Sequence, residues 1–173
     1  MKIKKLNEHG YAIALQGIAL SYNKPDVDLR KIAKKLARRN GGHNKFLESI
    51  VVWLDITAPR YFWQQFDSYR VGITKQSEST MHTLLKRELM LEDFEAIDPV
   101  ILKRVNMYIE KKNLEMAKKL LPESFLQRRI VCTNYKTLYT MYMQRRKHKL
   151  SEWRRFCIFL EIDLSLWREF FDE

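Results

Sequence analysis

Apolar positions along this chain change their period several times, and each change marks an element. Between Asp28 and Arg39, Leu29, Ile32, Ala33 and Leu36 recur at helical spacing while the opposite face is basic, which predicts an amphipathic helix. Asn40-Gly41-Gly42 is its stop signal, and a helix can restart near His43 and run into Ser49. Ile50 to Ile56 (IVVWLDI) is short, β-branched and apolar, the pattern of a buried strand, and Pro59 ends it. Lys2 to Leu6 reads as a short first strand. Arg60 to Tyr69, rich in aromatics, reads as helical, as do Thr80 to Leu91 and a long amphipathic stretch from Asp98 to Leu120, after which Pro122 breaks the pattern. Asn134 to Lys149 and Ser151 to Leu160 follow as helices, then a short one ending in Trp167, Phe170 and Phe171. The expectation is an α+β protein, mostly helical with a few strands and without repeats or linkers.

Composition narrows this. The chain has 173 residues, 46% of them hydrophobic, with only five Gly and four Pro, which suits one domain over residues 1–173 rather than a disordered chain. No apolar run approaches the roughly 20 residues that span a bilayer. The opening MKIKKLNEHG lacks the apolar core of a secretion signal, so the expected compartment is the cytoplasm, with no membrane partner. Cys132 and Cys157 stand in no CxxC or other metal-type spacing and read as reduced thiols.

Net charge is +11, from 32 Lys plus Arg against 21 Asp plus Glu, which favours anionic partners. Arg128-Arg129, Arg145-Arg146-Lys147-His148-Lys149 and Arg154-Arg155 are interleaved with Tyr135, Tyr139, Tyr142 and Trp153. That composition suits a surface that tracks phosphates and stacks bases; it equally suits a solvated helical face whose aromatics belong to the core. His9, His43, His82 and His148 lie far apart in no metal-binding spacing, so no metal is expected. Glycine-rich phosphate loops and nucleophile elbows are absent. One stretch concentrates donors: Ser68 to Leu85 (SYRVGITKQSESTMHTLL) carries Arg70, Lys75 and six hydroxyls ahead of the expected helix at Thr80, a favourable place for an anion.

Several segments share a register with one family. PRYFWQQFDSYR places Pro59, Gln65 and Arg70 at P-x5-Q-x4-R, GGHNKFLES places His43 and Glu48 at H-x4-E, and LPESFLQRRIVCTN places Pro122, Arg128 and Asn134 at P-x5-R-x5-N. Asn134, Arg145 and Arg155 then fall at N-x10-R-x9-R, and Ser21-Tyr22 stands near the start in GIALSYN. In collinear order over about residues 15 to 160, these segments resemble the R-x-S-Y, H-x-[ST]-x-x-E-H, P-x5-Q-x2-R-H-R, L-P-x4-T-R-x5-N and A-Q-x-E-I-R elements of the flavin-dependent thymidylate synthases. Those enzymes methylate dUMP using reduced FAD and methylenetetrahydrofolate, with NADPH as a further co-substrate.

The resemblance implies a flavin-dependent thymidylate synthase-like fold with a small central mixed or antiparallel sheet, and a homotetramer whose sites are shared between subunits. Arg128 matches the Arg that serves the dUMP phosphate, with Ser79 or Thr80 as neutral donors. Arg155 matches the Arg that contacts the pyrimidine ring, the catalytic assignment. Gln65, Glu78 and His82 complete the implied dUMP side. Ser21, Glu48, Tyr69, Arg70 and Asn134 match positions on the FAD side, and His43 the folate and nicotinamide side. Asn134 also stands where a cap for the next helix would, Glu48 where a surface ion pair could form, and Gln65 and His43 can be structural polars.

The chain departs from the family where FAD is held. Ser68-Tyr69-Arg70 replaces R-H-R, so only the last cation remains. Two inserted residues after Arg70 align Glu78 with the family Glu, Thr80 with its Ser and His82 with its final Arg; one insertion aligns Ser79 with the Ser instead. Leu150 to Arg155 keeps the Arg of A-Q-x-E-I-R but replaces its Gln and Glu. The expected function is one-carbon transfer to C5 of a dUMP-like nucleotide with FAD. The alternative is a catalytically degenerate relative that binds nucleotide or nucleic acid in a regulatory role.

Overall fold

The computed structural model describes residues 1–22, 28–39 and 42–171. It is about 53% helical, with a small antiparallel four-stranded sheet. The elements run β1 (Lys2–His9), α1 (Tyr11–Tyr22), α2 (Leu29–Ala37), a 3-10 turn (Lys45–Ser49), β2 (Val51–Pro59), α3 (Arg60–Phe66), β3 (Thr74–Ser77) and α4 (Thr80–Thr83). A second 3-10 turn (Leu91–Asp93) precedes α5 (Pro99–Glu110), α6 (Leu114–Leu120), β4 (Leu126–Asn134), α7 (Tyr135–Arg145), α8 (Ser151–Asp163) and α9 (Trp167–Phe171). The strand order is β1-β2-β4-β3.

Most expected elements form, with corrected boundaries. β1 and β2 each extend three residues beyond the expected strand. The stop at Asn40-Gly41 lies outside the described residues. The expected helix from Thr80 to Leu91 is one turn, Thr80–Thr83. The reason lies at Leu89, whose N–H donates to Asn106 Oδ1 (2.9 Å) and whose carbonyl accepts from Asn106 Nδ2 (2.9 Å), so its backbone groups are engaged outside any helix. The expected long helix Asp98–Leu120 is two, because Lys112 adopts φ 54°, a left-handed conformation that reverses the chain, and Asn113 caps α6 through the Met116 N–H. β3, β4 and α1 were not among the expected elements.

Compactness divides the described chain into two units. The first comprises Met1–Lys2, Ile56–Tyr69 and Lys75–Ile130. Its core has Phe62, Trp63 and Phe66 of α3, and a cluster of Leu84, Leu89, Phe94, Val105, Ile109, Ala117 and Leu121. The second comprises Ile3–Asp55, Arg70–Thr74 and Val131–Glu173, with Trp153, Trp167, Tyr135, Phe156 and Phe170 fully buried.

Candidate functional site in two residue sets

In the first unit the end of β3 pairs with β4. The Glu78 N–H donates to the Arg128 carbonyl (2.9 Å), and Gln127 Nε2 donates to the Glu78 carbonyl (3.0 Å). Glu78 and Arg128 therefore lie together with Ser79 next in the chain, while Thr80 lines a recess of about 290 Å³ with Asp67, Lys118, Gln127 and Arg129. Alternation along β4 sends Arg128 and Arg129 to opposite faces. Arg129 is committed to structure: it stacks on Trp63 (4.4 Å) and donates to both Asp67 oxygens (2.9 and 3.0 Å). Lys75 joins them at 2.8 Å. Burial alone would raise the Asp67 carboxyl; the two cations outweigh it and hold the group below its ordinary value. Arg128 is exposed, as is His82, while Gln65 and Tyr69 are half-buried. The helix expected to start there is a single turn, α4, and Ser79 makes no side-chain cap bond to it.

In the second unit the other candidates gather around the start of α7. Asn134 is its N-cap, accepting from the Thr137 N–H (3.0 Å). Lys136, two residues on, pairs with Glu48. The turn after Arg70 docks on the same helix start: Thr137 Oγ1 donates to the Val71 carbonyl (3.3 Å) and Thr133 Oγ1 to the Gly72 carbonyl (3.0 Å). Gly72 has φ +70°, and a Cβ there would stand 2.6 Å from Thr137 Oγ1 and 2.7 Å from Asn134 Nδ2. Glu48, Arg70 and Asn134, far apart in sequence, thus share one neighbourhood, with the Arg70 side chain exposed.

Ser21 and His43 line a second feature of this unit, a cavity of about 720 Å³ walled by Ile13, Ile18, Leu36 and Phe46. Lys45 adds a cation to its lining, a contribution the sequence reading passed over. On α8, Arg155 Nη2 donates to Glu152 Oε1 (3.1 Å) and Ser151 Oγ (3.3 Å). Glu152 is buried, so the guanidinium is held by a fixed anion. Tyr135 and Trp153 are fully buried, Trp153 beneath Arg145 (4.8 Å), so these two aromatics belong to the core and offer no stacking surface.

No family model matches this chain, and no curated protein matches it. Solved structures do. One, a flavin-dependent thymidylate synthase ThyX from Helicobacter pylori complexed with FAD and dUMP, superposes with a TM-score of 0.86 over 99% of both chains at 16% identity. A second structure of Helicobacter pylori ThyX with FAD and dUMP gives 0.85 over 99% of this chain and 98% of that one, at 17% identity. The chain has the ThyX fold.

Within this ThyX fold the expected residues form two sets. Glu78, Ser79 and Arg128 lie together in the first unit, with Thr80 on the Arg129 side; Glu48, Arg70 and Asn134 lie together in the second, beside the cavity set of Ser21 and His43. Arg155 belongs to the second unit. Lys136 and Thr137 organise the second set; Lys136 had no signal in the sequence beyond its place after an N-cap, whereas Thr137 with Leu138 stands where the family pattern has Ser-Leu.

Proposed function

We propose that this chain is a divergent flavin-dependent thymidylate synthase-like protein that binds a dUMP-like pyrimidine nucleotide and FAD and transfers a one-carbon unit to C5 of the pyrimidine. The observation that carries the proposal is the ThyX fold over the full length of both chains, joined to the collinear residues already named.

The chemistry of the second unit suits a flavin nucleotide. The 720 Å³ cavity offers apolar walls to a planar ring, with Ser21 as a polar contact for the flavin and His43 for the folate and nicotinamide side, and Lys45 and Arg70 supply charge for a pyrophosphate. FAD, when bound and reduced, supplies the reducing equivalents of the methylation; methylenetetrahydrofolate would bring the carbon and NADPH the electrons. Arg128 and the hydroxyls of Ser79 and Thr80 bind the nucleotide phosphate, with Gln65, Glu78 and His82 completing that side. Arg155 faces the pyrimidine and stabilises charge developing on it. Glu152 fixes the guanidinium's orientation through the 3.1 Å bond.

Neither thiol suits nucleophilic attack on the ring. Burial pushes Cys157 up to about 12 and also raises Cys132, so both stay protonated near neutrality. That supports a route without a cysteine nucleophile. Exposed Ile13 (73%) and Leu20 (85%) on α1 form an apolar face that association between copies would cover, and the assembly proposed is a homotetramer. The proposed compartment is the cytoplasm; no helix among the described residues is long and apolar enough to cross a membrane.

One observation favours a second reading. Ser68 and Tyr69 stand in place of two FAD-facing residues of the family pattern, and His82 in place of an Arg, which fits nucleotide binding without turnover. Purified protein separates the two. The first reading expects the visible absorbance of oxidised flavin and release of the C5 hydrogen of dUMP. The second expects colourless protein that dUMP stabilises, by about 2.7 kcal/mol at 100 times its dissociation constant. Colourless protein whose melting dUMP leaves unchanged refutes both.

A further inference from the structure

The positive charge of this chain is concentrated. Residues 29–39, α2 and its end, hold six Lys or Arg and no acid; residues 145–155, from the end of α7 into α8, hold six and one Glu. Twelve of the 32 cations thus fall in 22 residues, all in the second unit. In α2 the apolar side is turned inward, with Ala33 and Ala37 fully buried, and Arg30, Lys31, Lys34 and Lys35 are exposed. Among the described residues, Lys31, Lys34, Lys35, Lys147 and Lys149 form no ion pair. Arg154 Nη1 fastens the turn between α7 and α8 by donating to the carbonyls of His148 (2.7 Å) and Lys149 (2.8 Å). Burial together with Arg145, Arg154 and Lys149 holds the His148 imidazole below its ordinary value, the mark of a positive local field.

The two stretches meet at a recess of about 420 Å³. Arg38, the C-cap of α2, and Arg146, the C-cap of α7, both line it. Its other walls are Tyr139, Tyr142, Met143, Phe171 and the buried Trp167, with Tyr139 stacked on Phe171 at 4.1 Å. Arg146 lies over the Tyr142 ring at 5.8 Å. Glu161, the acid of the recess, already accepts from the Tyr142 hydroxyl.

We propose that this surface binds single-stranded nucleic acid, with phosphates tracking from α2 to the α7–α8 turn and a base entering the recess between Arg38 and Arg146. Unpaired lysines supply the counterion-releasing contacts that phosphates need, and the partly exposed rings of Tyr139, Tyr142 and Phe171 with the guanidinium groups supply the surface a base stacks on. A duplex keeps its bases inside and would leave the recess unused. A lipid surface would need an apolar helix face, which α2 buries. Apart from Arg155, which ends the second stretch, none of these residues belongs to the proposed pyrimidine or flavin set.

The test is fluorescence anisotropy of labelled 15-nucleotide oligoadenylate with the full chain. Binding is expected to weaken with salt on a log–log slope of about −0.7 per phosphate contacted, so about −3 for four contacts. Lys34→Glu/Lys35→Glu and Arg146→Glu/Lys147→Glu should each lower affinity at least tenfold. Lys103→Glu/Lys111→Glu, exposed cations of the first unit, should change it less than twofold. If a reversal lowers the melting temperature, Lys34→Gln/Lys35→Gln replaces it, read as a shallower salt slope. The proposal is overturned by no binding at 50 mM salt, by equal losses in all three variants, by a duplex binding as tightly, or by oligonucleotide-free chain binding only phosphatidylserine vesicles. Displacement by saturating dUMP also overturns it while leaving the proposed function intact; oligonucleotide binding without any dUMP or flavin effect does the reverse.

Discussion

Asn134 carries two roles that one pair of substitutions separates. Its Oδ1 accepts the Thr137 N–H at 3.0 Å and so caps α7, while its Nδ2 stays near the Gly72 turn and is the group assigned to the flavin side. Asn134→Ala removes both. Loss of an N-cap costs about 1 kcal/mol, and for a chain of this size that lowers the melting temperature by about 2–4 °C. Asn134→Asp keeps the acceptor and adds a negative charge at a helix start, where it is favourable, so its melting should stay within about 1 °C of the parent. The amide donor is gone in both, and the new carboxylate would repel a pyrophosphate. Both variants should therefore purify with less flavin, or with weaker flavin binding by fluorescence titration. A melting temperature for Asn134→Asp as low as that of Asn134→Ala refutes the cap. Undiminished flavin binding in Asn134→Asp removes this residue from the flavin set.

Other outcomes follow from the same geometry. Gly72→Ala combines a left-handed backbone with a 2.6 Å approach to Thr137 Oγ1 and should cost about 2 kcal/mol by denaturant melting; adding Thr137→Ala should recover part of that, and strict additivity would contradict the contact. Glu8 is held below its ordinary value of 4.5, with burial opposing and the hydrogen bonds from Lys5 and Tyr135 prevailing. Its contribution is therefore present above pH 4.5 and lost as pH falls through the folded value, so Glu8→Gln should flatten the acid limb of the stability profile below pH 4.5; an unchanged limb would argue against it. Iodoacetamide should label partly exposed Cys132 before buried Cys157, read by mass spectrometry; equal rates would contradict the burial. Arg155→Ala should abolish dUMP stabilisation while leaving the flavin spectrum, and full dUMP affinity in that variant would end its assignment.

The sequence showed elements where one face alone was apolar. α2 was legible because it buries one face only, and β2 because its β-branched apolar run is short, although its burial alternates and leaves Trp53 exposed. α1 was not, because YAIALQGIALSY is apolar nearly all round and has no helical period to detect. β4 hid behind Gln127, Arg128 and Arg129: its polar residues are pinned in place, Arg129 over Trp63, so alternation of hydrophobicity never appears. The break at Lys112 leaves no mark, since nothing in a lysine announces positive φ. At the candidate site, the cap at Asn134 was readable from residue type, whereas the meeting of Glu48, Arg70 and Asn134 depends on the docked turn at Gly72, which only the folded chain displays.

The placement of the four tryptophans gives this protein built-in optical reporters. The first unit carries a single indole, Trp63, sealed under the Arg129 guanidinium; the second carries Trp53, Trp153 and Trp167, of which the last two are also sealed. Emission in Trp63→Phe therefore comes from the second unit alone, and subtracting it from the parent's isolates the first. Unfolding of the two halves can be timed separately in an ordinary cuvette, without attaching a dye.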